Sequence, residues 1–182
     1  VEHCSVNNTL EFLRAIYHSE NDLLSAYYSN YTFDVSFSEI FAPMLCGSKV
    51  LVIPSVLQND LEAINKLVNC YHVLTLYLPA VLLNVADTIE MKCLKYLIIA
   101  GEKPDLKSFL MWKKRVCVYN LYGPTECSIY ATSCNNSLNP SCIGVSISNI
   151  KSYILNNGRP VPMGVVGQLY LSGAGLARGY LN

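Results

Sequence analysis

The chain is short of charge. Of its 182 residues only 14% are Asp, Glu, Lys or Arg, where a soluble domain usually carries about 25%. Thirteen basic and thirteen acidic residues cancel, so no electrostatic footprint for nucleic acid or for an anionic membrane surface is present. A long apolar run is also lacking. The longest, residues 73–86, is too short to span a bilayer and carries Pro79 inside it. The opening "VEHCSVNNTL" has no basic segment followed by an apolar one, so no secretion signal is expected. No two of the eight cysteines make a C-x-x-C pair, which removes the usual zinc spacing. No G-x-x-x-x-G-K-[ST] occurs, which excludes a Walker-type phosphate loop within the chain. His3, His18 and His72 have no nucleophile partner by spacing, so Ser/His/Asp and Cys/His catalysis have no support.

What is present is hydrophobic: 52% of the residues, enough to exclude disorder and to suit a chain whose flanks are covered by further protein. The cysteines (Cys4, Cys46, Cys70, Cys93, Cys117, Cys127, Cys134, Cys142) are scattered, several within apolar runs. Free thiols pack well there. N-x-S/T triplets at Asn7, Asn30 and Asn135 would suit a secreted disulfide protein. The reading adopted is reduced thiols in a soluble, cytoplasmic protein.

Strand-like and helix-like segments alternate through the middle. Residues 49–54, "KVLVIP", read as a strand. The next stretch puts Leu61, Ile64, Leu67, Val68 and Tyr71 on one helical face, with Asn59 or Asp60 as N-cap. Residues 73–77 read as a strand, and Pro79 can open a helix. Residues 94–101, "LKYLIIAG", read as another strand. The helix after it points Leu106, Phe109 and Leu110 inward, and residues 116–121 form the next strand. Repeated strand–helix–strand units predict an α/β fold, a mostly parallel sheet with helices on both faces. From about Ser141 the texture changes to strand, turn-rich connection and strand. Two units are therefore expected: residues 1–140, α/β, and residues 141–182, a β-rich segment.

In parallel sheets the ligand sits at the carboxyl ends of the strands. Tyr77, Ala100, Gly101 and residues 120–126 all fall at such ends. The stretch "NLYGPTECSIYAT" interrupts an apolar run with a turn bearing a hydroxyl and a carboxylate. Thr125 can bind a phosphate oxygen, and Glu126 can hold Mg²⁺, which commonly takes one or two carboxylates plus substrate phosphates. Tyr122 can lie against a flat base, and Asn120 offers a donor and an acceptor. An ordinary exposed turn explains the same residues. Asp34, between Phe33 and Val35, is an acid in apolar surroundings and calls for a cation, a ligand's ammonium for instance. As an alternative it caps the helix beginning near Ser36, although Ser36 with Glu39 makes a capping-box pattern of its own. Arg178, among Gly173, Gly175 and Gly179, is either a phosphate anchor or a tie between tight turns.

Three ordered motifs give these pieces a context. "FDVSFSEIFAPMLCGSKVLVIP", "NLYGPTE" and "GQLYLSGAGLARGYL" resemble, in order and along essentially the whole chain, the amino-acid adenylation domains of nonribosomal peptide synthetases. Those belong to the adenylate-forming superfamily with acyl-CoA synthetases and luciferases. The resemblance implies that ATP is held by Gly101, Asn120, Tyr122, Gly123 and Thr125, with Glu126 binding Mg²⁺ and Thr125 and Glu126 carrying the catalysis. It implies that Asp34 pairs with an amino acid's ammonium. The substrate side chain would meet Val35, Ser38, Tyr77, Ile98, Ala100, Leu121, Ile129 and Tyr130. That lining is uncharged, which favours a small neutral amino acid. The product would pass to the phosphopantetheine of a carrier protein domain. The family's phosphate loop would precede Val1, and its ribose-binding aspartate and adenylate-contacting lysine would follow Asn182. The chain is thus expected to be the central part of a larger domain and inactive alone. The rivals are an acyl- or aryl-CoA synthetase-like ligase, which needs no ammonium partner, and a non-catalytic binding module that retains the fold.

Overall fold

A computed structural model describes residues 1–17, 23–86 and 89–181; His18 and Asn182 lie outside the described residues. Five strands run parallel: β1 (Leu24–Tyr27), β2 (Lys49–Val52), β3 (Thr75–Tyr77), β4 (Tyr96–Ala100) and β5 (Cys117–Tyr122). Two short antiparallel strands, β6 (Thr132–Cys134) and β7 (Val145–Ser146), extend the sheet to the order β2-β1-β3-β4-β5-β6-β7. A separate antiparallel sheet holds β8 (Ile150–Asn156), β9 (Arg159–Pro160) and β10 (Gln168–Gly173), in the order β10-β8-β9. The α/β reading with a β-rich end is thereby met.

Helices cover both faces of the larger sheet. Successive residues of a strand point to opposite sides, and β4 shows the result. Leu97 and Ile99 join Ile64 and Val68 of α3 (Leu61–Tyr71), Leu83 of α4 (Ala80–Val85), and Phe109 and Trp112 of α5 (Leu106–Lys113). Ile98 and Ala100 join Leu10, Leu13 and Ile16 of α1 (His3–Tyr17) and Ala42 of α2 (Val35–Leu45). Register sets Tyr77 beside Ile98 and Ala100 beside Leu121, so the carboxyl ends of three strands open on one side.

Local chemistry starts the helices where the sequence indicates. The Asp60 side chain accepts a hydrogen bond from the Ala63 amide at 3.0 Å, Asp105 does the same for Ser108 at 3.0 Å, and Pro79 precedes α4. Two expected inward residues face outward. Leu106 is exposed because α5 begins there and its buried stripe runs through Ser108, Phe109 and Trp112; Tyr71 is exposed at the last turn of α3, where His72 turns left-handed. Among the described residues no helix is long and apolar enough to cross a membrane.

Candidate functional site

Asp34 stands at the start of α2, but its side chain makes no capping hydrogen bond. It instead accepts a 2.6 Å hydrogen bond from the Thr125 hydroxyl, 91 residues along the chain. The Ser36–Glu39 capping box does not form either. The helix begins at Val35, so Ser36 already lies in its first turn and donates to the Tyr31 carbonyl at 3.3 Å. Glu39 turns inward and accepts from the Tyr28 and Ser29 amides at 2.9 and 3.0 Å. Burial drives its carboxyl up to about 7, against the pull of those donors. The sequence reading placed Glu39 only as a capping partner. Its real signal was position: Ser36, Glu39 and Pro43 follow the 3–4 spacing of one buried helical stripe.

Thr125 and Glu126 sit in a 3₁₀ turn, Thr125–Cys127, reached from β5 through Gly123 and Pro124. The chain then folds back on itself. A Cβ on Gly123 would lie 2.5 Å from the Ile129 carbonyl oxygen and 2.6 Å from the Tyr130 Cα, so only glycine fits. The return passes through left-handed Ser128 (φ 57°) and Ile129 (φ 78°). That conformation is costly for a β-branched residue and persists only where neighbours over-determine it. They do so here: the Thr9 hydroxyl donates to the Ser128 carbonyl at 2.7 Å, the Ser128 hydroxyl donates to the Gly175 carbonyl at 2.7 Å, and the Ala131 amide donates to the Tyr122 carbonyl at 2.7 Å.

Between these two motifs lies a cleft of about 520 Å³. Asp34, Val35, Tyr77, Ala100, Gly101, Gly123, Thr125, Ile129 and Tyr130 all line it, with Glu102 and the Tyr28–Asn30 segment beside them. Ser38, Ile98 and Leu121 lie behind this surface, each buried. Tyr130 fills the space between. Its phenol is buried and lies 3.4 Å from the Ser38 hydroxyl, which itself donates to the Val35 carbonyl at 2.7 Å. The Ser38 proton being used, Tyr130 is the donor of that pair. Burial pushes the Tyr130 phenol well above its ordinary range, and Tyr77 up to about 12, so both remain neutral.

A smaller cleft of about 220 Å³ adjoins it, lined by Gly101, Glu102, Asn120, Tyr122, Pro140 and Ile143, among others. The Asn120 amide group donates to the Pro140 and Cys142 carbonyls at 3.2 and 3.0 Å, leaving its oxygen as the atom able to accept from a ligand. Tyr122 is 37% exposed. Glu126 faces solvent in a third cleft with Ala177, Gly179 and Tyr180. The Tyr180 hydroxyl donates to Glu126 at 2.5 Å and holds its carboxyl below the usual range. Sequence reading passed over Tyr180. Arg178 pairs with Glu2, just before α1, at 3.3 Å, a contact that is neither a tie among the glycine turns nor a phosphate anchor.

Among the described residues no group of three or more His, Cys, Asp or Glu side chains could hold a metal ion. A lone ionised Glu126 fits a cation that brings phosphate oxygens with it, as Mg²⁺ does with a nucleotide.

Comparison with known proteins places this geometry. The sequence profile of the AMP-binding enzymes matches residues 2–181. Malpibaldin synthetase of Mortierella alpina is 38% identical over 85% of this chain and 3% of its own length. Bacitracin synthase 3 of Bacillus licheniformis is 35% identical over 100% of this chain and 3% of its own length. The chain therefore spans only a few per cent of the curated relatives it matches. The AMPPNP-bound nonribosomal peptide synthetase FmoA3 superposes with a TM-score of 0.89 at 24% identity, over 100% of this chain and 21% of the other. The N-terminal subdomain of Klebsiella oxytoca NpsA, in complex with 3-hydroxybenzoyl-AMSN, gives 0.81 at 18% identity, over 96% and 48%. These two likenesses fix the fold, and the profile spanning nearly every residue fixes the kinship: the chain belongs to the AMP-binding enzyme family.

Proposed function

We propose that the chain is the central part of an amino-acid adenylation domain, serving a synthetase that activates an amino acid with ATP and loads it on a carrier protein in the cytoplasm. In the reaction, the amino acid's carboxylate displaces pyrophosphate from the α-phosphate of ATP and gives an aminoacyl adenylate. The observation that carries this reading is Asp34. It borders the large cleft, accepts from Thr125 at 2.6 Å, and has no basic partner among the described residues. A half-buried acid of this kind, at a cleft that also carries Glu102, suits a ligand's ammonium. A carboxylic acid without an amino group would leave it unmatched, which disfavours the CoA-ligase-like reading.

The residues take these roles. Asp34 orients the ammonium. Val35, Tyr77, Ala100, Ile129 and Tyr130 bound the substrate side chain, with Ser38, Ile98 and Leu121 as the support behind them. Because Tyr130 occupies the depth of the pocket, the reading favours a small neutral side chain. Gly101, Asn120, Tyr122 and Gly123 bound the nucleotide. Thr125, whose hydroxyl donates its one proton to Asp34, would turn it to a phosphate oxygen when Asp34 takes the ammonium, and Glu126 would hold Mg²⁺, whose charge would neutralise the displaced pyrophosphate. The chain's own contribution is positioning: before the ligands arrive, the Thr125–Asp34 hydrogen bond sets the two ligand sites side by side. The partner is a carrier domain whose phosphopantetheine thiol takes the acyl group. The division into residues 1–140 and 141–182 belongs to the same proposal; β7 at Val145–Ser146 still pairs with the larger sheet, and the smaller sheet begins at Ile150.

Amino-acid-dependent pyrophosphate exchange by the intact protein tests this, with Asp34→Ala beside wild type. Exchange with one or a few small neutral amino acids is expected, falling roughly 100-fold in the variant, as the loss of a partner to a desolvated charge does. Exchange confined to acids lacking the amino group would transfer the reading to the CoA-ligase-like class. No exchange with any acid, from folded protein, would leave a binding module.

A further inference from the structure

Cys134, the last residue of β6, and Cys142, in the loop that leads to β7, bring their sulfur atoms to 3.5 Å. Both are free thiols, and the adenylation chemistry uses neither. Backbone on each side holds them together. Gly144, at φ 76°, lies so close to β6 that a Cβ there would fall 2.7 Å from the Cys134 Cβ. The Cys142 amide donates to the Asn139 carbonyl at 3.0 Å, and the Ser141 amide donates to the Asn139 side chain at 2.9 Å, which tightens the turn before the cysteine.

The two thiols differ. Cys134 is 6% exposed, whereas Cys142 is half-buried and reachable. The Gly144 amide, and after it the Cys134 S–H, hold the Cys142 thiol below its usual range. A reachable sulfur inclined to ionise beside a sheltered one is the arrangement of an attacking and a resolving thiol.

We propose that Cys134 and Cys142 form a reversible redox-modification site whose oxidant is a small-molecule disulfide of the glutathione type. The Cys142 thiolate attacks one sulfur of oxidised glutathione, forming a mixed disulfide and releasing a glutathione thiolate. Cys134 gives its proton to that thiolate and attacks the Cys142 sulfur, closing the intrachain bond and releasing the second glutathione. Two protein thiols lose two electrons and two protons, and the glutathione disulfide takes up both. Sulfurs in a disulfide are about 2.0 Å apart, so the loop closes by roughly 1.5 Å toward β6. The carbonyls of Pro140 and Cys142 are the ones that hold Asn120. The bond therefore fixes one wall of the smaller cleft, a consequence for nucleotide binding that rests on the functional reading above. Transient bonds of this kind are the sort found in reducing compartments.

The test treats the intact protein with graded ratios of oxidised to reduced glutathione, blocks the remaining thiols, and maps peptides after chymotryptic cleavage at exposed Leu138. The expected result is a peptide ending at Leu138 joined to one beginning at Asn139, two hydrogens lighter, and separated again by a reductant. Cys134→Ser is expected to stop at a glutathione adduct on Cys142, and Cys142→Ser to leave Cys134 unmodified. Wild-type protein that retains both thiols, or that keeps glutathione on Cys142 beside a reduced Cys134, overturns the proposal. The mapping reads sulfur chemistry alone and does not depend on what the cleft binds. AMPPNP affinity, measured before and after oxidation, is expected to shift about fivefold or more. A bridged protein with unshifted affinity would overturn the coupling to the cleft.

Discussion

Helices α2 and α3 have the same length, 11 residues, and opposite insides. α3 buries Ile64 and Val68 and turns Glu62, Lys66 and Cys70 to solvent. α2 buries Ser36, Ser38 and Glu39 with Ala42 and Pro43, and leaves Phe37, Phe41, Met44 and Leu45 exposed. The first is held by removing apolar surface from water. The second is held by matched polar groups: Ser36 on the Tyr31 carbonyl, Ser38 on the Val35 carbonyl, Glu39 on two amides. That matching keeps Asp34 and Val35 at the cleft. A helix of the first kind supports the sheet, and one of the second kind aims residues.

The contrast can be broken most strongly at α3. Ile64→Ala, at a position with no exposure, is expected to destabilise the intact protein by roughly 4 kcal/mol, measured as the change in local unfolding free energy by hydrogen exchange. A loss under about 1 kcal/mol would mean that α3 does not depend on its apolar face.

A smaller and different effect is expected at Glu39. Its folded carboxyl lies at about 7, above the ordinary 4.5, so the native state holds the proton more tightly than the unfolded chain. The stabilisation is therefore complete below pH 4.5 and is lost as the pH rises through 7, by roughly 3 kcal/mol in all. Protection of the β1 amides, which sets aside the intrinsic pH dependence of exchange, should show this slope across that window in wild type. They should not show it in Glu39→Gln, which cannot ionise. A slope of the same sign and size in both would assign the titration elsewhere.

The smallest effect belongs to the outer face of α2. Phe41→Ser, which removes a part-exposed ring 5.6 Å from that of Phe37, is expected to cost about 1 kcal/mol. A loss comparable to that of Ile64→Ala would show that this face is packed against other protein in the intact molecule.

The same contrast explains what could be read from the sequence. α3 announces itself through Asp60 and an apolar stripe, and β4 through "YLIIA", where each alternate residue serves one face. β1 was passed over. Its Leu-Ser-Ala-Tyr carries no β-branched residue, so the strand preference that marked residues 49–54 was missing; yet β1 pairs with both β2 and β3. The family resemblance assigned Asp34 to an ammonium and Thr125 to a phosphate without a contact between them, so the 2.6 Å hydrogen bond from Thr125 to Asp34 was not foreseen. Glu39 and Tyr180 escaped because their partners are fixed by tertiary contact. A buried acid served by backbone amides of another element leaves no local pattern.

The left-handed turn at Ser128 and Ile129 has a consequence for anyone seeking to alter what the large cleft binds by exchanging segments between relatives. Residues 34 to 130 form a natural cassette, since the Asp34–Thr125 and Ser38–Tyr130 contacts both close within it. The turn at its downstream end, however, is braced from outside by Thr9 and by the Gly175 carbonyl. A graft cut at the cassette's borders inherits the strained backbone without its braces, so the transplant has to match residues 9 and 175 as well as the pocket.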